Sequence, residues 1–271
     1  MSFFNKKNHN NNVTIVNGKK YYGNVTIVNG RVIEGNSSGE NDFKKIDEIK
    51  KENSNGIESI HIEGDIELKV SAYDGNDIIA HMHGSSTANY ILSMEKSGGT
   101  LKINVSLENS SKNSFSVFNS VKVVNSINNE DLILDVQIPA KIFELLKVSS
   151  ENSSIEVSSS VNCKKIDTET DNGYIEVSAT FNDLRCYCVN GWIDVKSEVK
   201  SNVNLSVLTI NGSINVALTN IGHSDIRVST VNGFLRNNPK LGGKYNATGY
   251  ISTQNGNVEY RWKMIFKLFL F

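Results

Sequence analysis

The chain has 271 residues, 38% of them hydrophobic and 21% charged, which supplies enough apolar material for a core and excludes a wholly disordered polypeptide. The formal net charge is −1 with acids and bases interspersed, so no basic face for a nucleic acid is expected. The three cysteines are an odd set, and two prolines give little of the punctuation of a linker-rich chain.

Residues 1–12 are polar and lack the apolar run of a secretory signal, and no stretch of roughly eighteen apolar residues occurs anywhere. The expectation is a cytoplasmic protein without a transmembrane helix. Next comes Val13-Thr14-Ile15-Val16-Asn17-Gly18, echoed by Val25-Thr26-Ile27-Val28-Asn29-Gly30 and then Arg31-Val32-Ile33. These predict short strands joined by tight turns, a β-meander, with the polar start in a first segment 1–41. Residues 35–41 read as a Gly/Ser/Asn linker and 43–52 as a charged helical turn.

A second segment, 42–140, shows period-two alternation at Ile60/Ile62, Leu68/Val70, Ile78–His83, Tyr90–Met94 and Leu101–Leu107, broken by Gly-containing turns. It predicts an irregular antiparallel β region. Ser110 to Asn129 is polar and reads as a loop or edge, and Leu132 to Ile138 as a strand stopped by Pro139. His61, His81 and His83 fall on these strands. As a metal site they lack a Cys or acid at ligand spacing, so half-buried strand histidines are the expectation, with no metal and no cofactor.

The third segment, 141–260, repeats one phrase: Asn152-Ser153-Ser154-Ile155-Glu156-Val157, Asn172-Gly173-Tyr174-Ile175-Glu176-Val177, Asn190-Gly191-Trp192-Ile193-Asp194-Val195, Asn211-Gly212-Ser213-Ile214-Asn215-Val216, Asn232-Gly233-Phe234-Leu235-Arg236, and Asn255-Gly256-Asn257-Val258-Glu259-Tyr260. Successive asparagines are 20, 18, 21, 21 and 23 residues apart, a solenoid period. Six, four and two residues before the Asn stand small or apolar residues such as Leu184, Cys186, Cys188 and Leu205, Val207, Thr209; the residues three and five after it are again apolar. Each unit is therefore strand, Asn-Gly corner, strand. Near-constant unit length favours a right-handed parallel β-helix with a buried asparagine ladder; an array of Asn-Gly hairpins is the alternative. The cysteines replace Val or Thr in this stack rather than forming a disulfide or zinc site.

The order Gly64-Asp65-Ile66-Glu67-Leu68-Lys69-Val70, Ile79-Ala80-His81, Leu134-Asp135-Val136-Gln137-Ile138-Pro139 and then Asn-Gly coils resembles the bacterial putative-adhesin family of unknown function with β-strand repeats. Members carry Ser-Gly-Asp at the corner where this chain has Asn-Gly and a variable residue. The resemblance spans roughly Val13 to Tyr260 and implies a β-solenoid with a non-catalytic, envelope-associated role; it supplies no catalytic residue.

Candidate chemistry is sparse. Among the outward positions four after Asn172, Asn190, Asn211, Asn232 and Asn255, only Glu176 and Asp194 are adjacent acids, a weak basis for the alternative function, a carbohydrate-active β-helix lyase or hydrolase. Apolar residues on the presumed outside are more informative: Tyr174, Tyr187, Val189, Trp192, Leu208, Ile210, Val231 and Phe234 are expected to form one contiguous interaction surface. Its expected partners are another protein, a second copy or sugar rings. The tail 261–271 turns apolar and basic, reading either as a cap on the last coil or as a peripheral membrane contact.

Overall fold

The computed structural model describes residues 44–108, 131–238 and 241–262, and the backbone of four short strands before them. The chain divides into two compact units, Met1–Phe43 and Lys44–Phe271. In the first, β1 (Val13–Val16) pairs antiparallel with β2 (Lys19–Tyr22), and β3 (Thr26–Val28) with β4 (Arg31–Ile33). Val16 faces Lys19 and Val28 faces Arg31, so the sequence between each pair of strands is an Asn-Gly dipeptide, as antiparallel hairpins favour. The strands form two separate hairpins in place of the expected meander.

The second unit is all-β, with no helix among its described residues. It opens with β5 (Lys44–Asn53), β6 (Ser59–Gly64), β7 (Glu67–Tyr73), β8 (Asp77–Ser86), β9 (Tyr90–Ser97), β10 (Thr100–Leu107) and β11 (Ile133–Pro139). It continues with β12 (Phe143–Ser150), β13 (Ile155–Val157), β14 (Cys163–Asn172), β15 (Ile175–Val177), β16 (Asp183–Asn190) and β17 (Ile193–Glu198). The last strands are β18 (Val203–Asn211), β19 (Ile214–Thr219), β20 (Ile221–Asn232), β21 (Leu235–Asn238), β22 (Tyr245–Asn255) and β23 (Val258–Trp262). They build two mixed sheets, one of nine strands ordered β20-β22-β18-β16-β14-β12-β6-β10-β9 and one of ten ordered β21-β23-β19-β17-β15-β13-β7-β11-β8-β5.

Two expectations are corrected here. The helical turn at 43–52 is the edge strand β5, whose alternate residues are half-buried and whose lysines discourage pairing with another chain. The region before residue 140 is only partly antiparallel: β10 pairs parallel with β6 and β11 with β7, because β6 and β7 are the first members of the two stacks that the repeats continue. The loop expected at Ser110 to Asn129 lies outside the described residues.

From β12 onward the chain alternates between the sheets, and each strand pairs parallel and in register with its equivalent in the neighbouring unit. The faces follow the alternation. Ile166, Thr168, Thr170, Leu184, Cys186, Cys188, Leu205, Val207 and Thr209 are all buried, as are Ile155, Val157, Ile175, Val177, Ile193 and Val195. The polar members of the inward column have partners. The hydroxyls of Thr170, Thr209, Thr253 and Thr230 donate to the carbonyls of Ser153, Gly191, Gly212 and Gly256 at 3.0, 3.2, 3.0 and 2.8 Å, and the Cys188 thiol donates to Gly173 at 3.5 Å. A small donor is therefore needed inside each corner to satisfy a buried carbonyl. The corner glycines leave no room for a side chain: a Cβ on Gly191, Gly212 or Gly256 would lie 1.7, 1.6 or 2.0 Å from the carbonyl oxygen of the next rung's glycine.

The corner asparagines bond one another through their side-chain amides. Asn172 donates to Asn152, Asn190 to Asn172, Asn211 to Asn190, Asn255 to Asn211 and Asn232 to Asn255, each at 2.8 to 2.9 Å. Asp65 ends the run by accepting from the Asn152 amide at 3.1 Å. These asparagines are exposed, contrary to the expectation of a buried column. At a corner the chain turns about the Asn, so its side chain leaves along the outside and finds its partner one rung away.

That run also reveals an order no repeat count suggests. The unit β22–β23, last in sequence, lies between β18–β19 and β20–β21, so the penultimate unit forms the end of both sheets. Burial explains the exchange. β22–β23 carries fully buried Ala247, Ile251, Val258 and Tyr260, whereas all four residues of β21 are exposed. In the inward column of Val157, Val177, Val195 and Val216 stands Tyr260 and, at the end, Asn237. The Tyr260 hydroxyl lies 3.1 Å from Ser224 Oγ in β20, and Gly249 in β22 lies so close to β18 that a Cβ on it would be 1.9 Å from the Leu205 carbonyl oxygen. The polar unit closes the stack, and the apolar one is packed on both sides.

Candidate interaction surface

Tyr187 and Leu208 are outward neighbours on β16 and β18, in register. Val189 and Ile210 follow on the same strands, just before the bonded pair Asn190/Asn211, and all four side chains are half-buried. Past the corner, Trp192 stacks on Tyr174 with ring centroids 5.3 Å apart and planes 28° apart, and remains 54% exposed. Burial pushes the Tyr174 phenol up, and Glu67, Glu156 and Glu176 add to the shift. The six residues thus wrap one corner as a ridge, with the amide run along its crest.

Val231 and Phe234 stand elsewhere. The carbonyls of Tyr174, Trp192, Ser213, Asn257 and Phe234 accept from the rung-by-rung neighbours Ile155, Ile175, Ile193, Ile214 and Val258, so Ser213 and Asn257 separate Trp192 from Phe234. Three rungs at about 4.8 Å put them about 14 Å apart. The single contiguous surface expected from sequence is two: the ridge, and an end patch where Val231 and Phe234 are 77% and 83% exposed. The exchanged order of the last units is the cause. The signal that exposes it is Asn237, a polar residue in a column that is otherwise apolar.

Of the acids that follow the corners, Glu176 and Asp194 share one lysine. Glu156, Glu176 and Asp194 are successive neighbours across β13, β15 and β17. Lys196 Nζ bonds both Asp194 and, at 3.5 Å, Glu176, and Asp194 also accepts from Asn215 at 2.7 Å. The hydrogen bond to Asp194 is the main reason the Lys196 ammonium is held above the usual lysine range. The three histidines do not converge: His81 and His83, with ring centroids 4.6 Å apart, are in the ten-stranded sheet, while His61 is in the nine-stranded one. His81 bonds Asp47 at 2.8 Å and His83 bonds Asp135 at 2.7 Å. Among the described residues no His, Cys, Asp or Glu cluster has the geometry of a metal site. The three cysteines are free and buried, and burial pushes the Cys163 and Cys186 thiols up to about 12.

No family model matches the chain, and no curated protein sequence matches it. Among solved structures it is similar to one named a putative cell adhesion protein from Clostridium sporogenes, with a TM-score of 0.51 at 16% identity over 81% of this chain and 100% of that one. A putative adhesin from Bacteroides fragilis gives 0.42 at 12% identity, covering 81% and 97%. A protein from Parabacteroides distasonis named as lipid binding gives 0.31 at 13%, covering 80% and 97%. The first likeness is one of fold.

Proposed function

We propose that this chain is a non-catalytic, adhesin-like binding or scaffold protein whose second unit winds as a right-handed parallel β-helix and holds a protein partner on its aromatic ridge. The alternation of parallel strands between two sheets supports the winding, and the general preference for right-handed crossovers supports its hand. The observation that carries the binding role is the Tyr174/Trp192 pair, half-exposed beside Tyr187, Val189, Leu208 and Ile210 on a backbone whose every rung is bonded to the next. Large aromatics flanked by aliphatic residues on a rigid frame are what a protein contact uses, since little side-chain entropy is lost on docking. The charge arrangement supports the non-catalytic part: Glu176 and Asp194, the two adjacent acids first considered for general acid or base work, are both tied to Lys196.

The test compares wild type with Trp192→Ala and Leu208→Lys, after thermal melts show that both variants fold. Each protein is offered, immobilised, to surface proteins of the source cells and to a glycan array. Retention of a protein by wild type and its loss in both variants is expected. Equal binding by all three would remove the ridge, and binding of glycans alone would change the partner class.

A further inference from the structure

The position of β22–β23 has a consequence beyond burial. After β19 the chain does not continue on the adjacent rung. It passes over one rung at Asn220–Ile221 to lay down β20–β21, and the last unit then returns to fill the place left open. Asn220 makes the step. It is the one described non-glycine residue with positive φ (66°), its amide donates to the Val199 carbonyl at 3.0 Å, and its backbone oxygen accepts from Lys244 and Tyr245 at 3.2 Å. On the return, the Gly242 and Gly243 amides donate to the Ile221 carbonyl at 3.0 and 2.8 Å, and a Cβ on Gly243 would lie 2.0 Å from the Asn220 carbonyl carbon.

We propose that this place is an acceptor for the same segment of a second copy, so that two chains exchange residues 245–262 and form a reciprocal dimer. The segment bonds through both of its strand edges to rungs it is not continuous with, β18–β19 on one side and β20–β21 on the other. Those bonds are identical whichever chain supplies the segment, and so is the fit of Tyr260 against Ser224. What differs is the return at residues 242–245, which a closed monomer holds on the carbonyls of Asn220 and Ile221 and an exchanged dimer can release. Exchange of an identical element between copies is a low-cost route to a dimer. If the place stays empty, β20 can close onto β18: Ile226, Val228, Thr230 and Asn232 match Leu205, Val207, Thr209 and Asn211 position for position. A vacant acceptor is therefore either filled by a segment from some copy or lost, which makes refolding at high concentration the condition for exchange.

Two chains are made, one with Ser206→Cys and one with Tyr250→Cys, side chains that bond each other at 2.7 Å across β18 and β22. They are mixed in denaturant, refolded together at high concentration and treated with a short bismaleimide. Exchange predicts a species of twice 30.0 kDa with an unchanged circular dichroism spectrum and a covalent adduct of the two chains. A purely monomeric product, or a dimer without the adduct, overturns the proposal. Should Tyr250→Cys not refold, Asn204→Cys with Thr248→Cys, also neighbours on these strands, gives the same readout. A Trp192→Ala background separates this contact from the ridge: exchange predicts the same dimer, and its loss would assign the dimer to the ridge instead.

Discussion

The same dipeptide does two jobs in this molecule. In the first unit the strands that flank Asn17-Gly18, and those that flank Asn29-Gly30, pair antiparallel with each other. In the second, Asn172-Gly173, Asn190-Gly191 and Asn211-Gly212 join strands of two different sheets, and each pair bonds its equivalents one rung away. The local chemistry is common to both, so the spacing decides. Asn17 and Asn29 are 12 residues apart, which accommodates two strands of three or four residues and two turns. Steps of 18 to 23 residues carry the chain once through both sheets and return it to register. A turn signal thus reports that the chain turns; the period reports into what.

The largest expected effect comes from adding a side chain to each kind of glycine. Gly212→Val places a Cβ 1.6 Å from the Gly191 oxygen, a backbone atom that cannot yield without breaking the rung, so the stack should fail to form or lose about 3 kcal/mol or more. Gly18→Val should cost only its own hairpin. Thiol alkylation at pH 8 distinguishes the two, because all three cysteines lie in the stack and the Cys186 thiol, pushed up to about 12, stays silent until the stack opens. Rapid labelling of Gly18→Val, or slow labelling of Gly212→Val, would break the comparison.

Removing an amide should cost less. Asn211→Ala deletes its bonds to Asn190 and Asn255, both exposed, and is expected to lower stability by about 1 to 2 kcal/mol in chemical denaturation. Asn17→Ala should leave that transition where it is. Tyr260→Phe removes one buried hydroxyl contact and leaves Ser224 without it, so a loss of about 1 kcal/mol is expected; no change would detach the exchanged order of the last units from the Tyr260–Ser224 contact.

Much of the stack was legible because its faces obey a simple alternation. Leu184, Cys186, Cys188 and their equivalents are inward as their spacing from each Asn requires, and Cys188 replaces Thr as the donor inside a corner. What the spacing does not carry is which unit lies beside which. Parallel rungs of one period are interchangeable to first order, and the burial of Ala247, Ile251 and Tyr260 and the polarity of Asn237 distinguish the inner unit from the end one. The ridge was legible residue by residue for the same reason, yet its extent was not: the contiguity of Trp192 with Phe234 depends on that order. Nor was the exposure of the asparagines, since the alternation rule that places strand residues gives no direction for a side chain at a corner.

The smallest effect concerns charge in the amide run, where nature supplies a control. Asp65 serves at the end because there the residue need only accept, from Asn152. In the middle each member must also donate. Asn211→Asp would keep the bond from Asn255 but set a carboxylate oxygen against the acceptor oxygen of Asn190. Protonation restores a donor, so the new carboxyl should have a folded pKa above its unfolded value of about 3.9. The sign of the linkage follows: the folded state binds the proton more tightly, so stability relative to wild type is highest below about pH 4 and falls as pH rises through the folded pKa. Exposure to solvent limits the difference to about 1 kcal/mol or less. Denaturation midpoints of wild type and Asn211→Asp, compared at pH 3.5 and pH 7, should diverge at the higher pH. Equal offsets at both would mean that donation to Asn190 contributes nothing, and that the corners are held by their glycines alone.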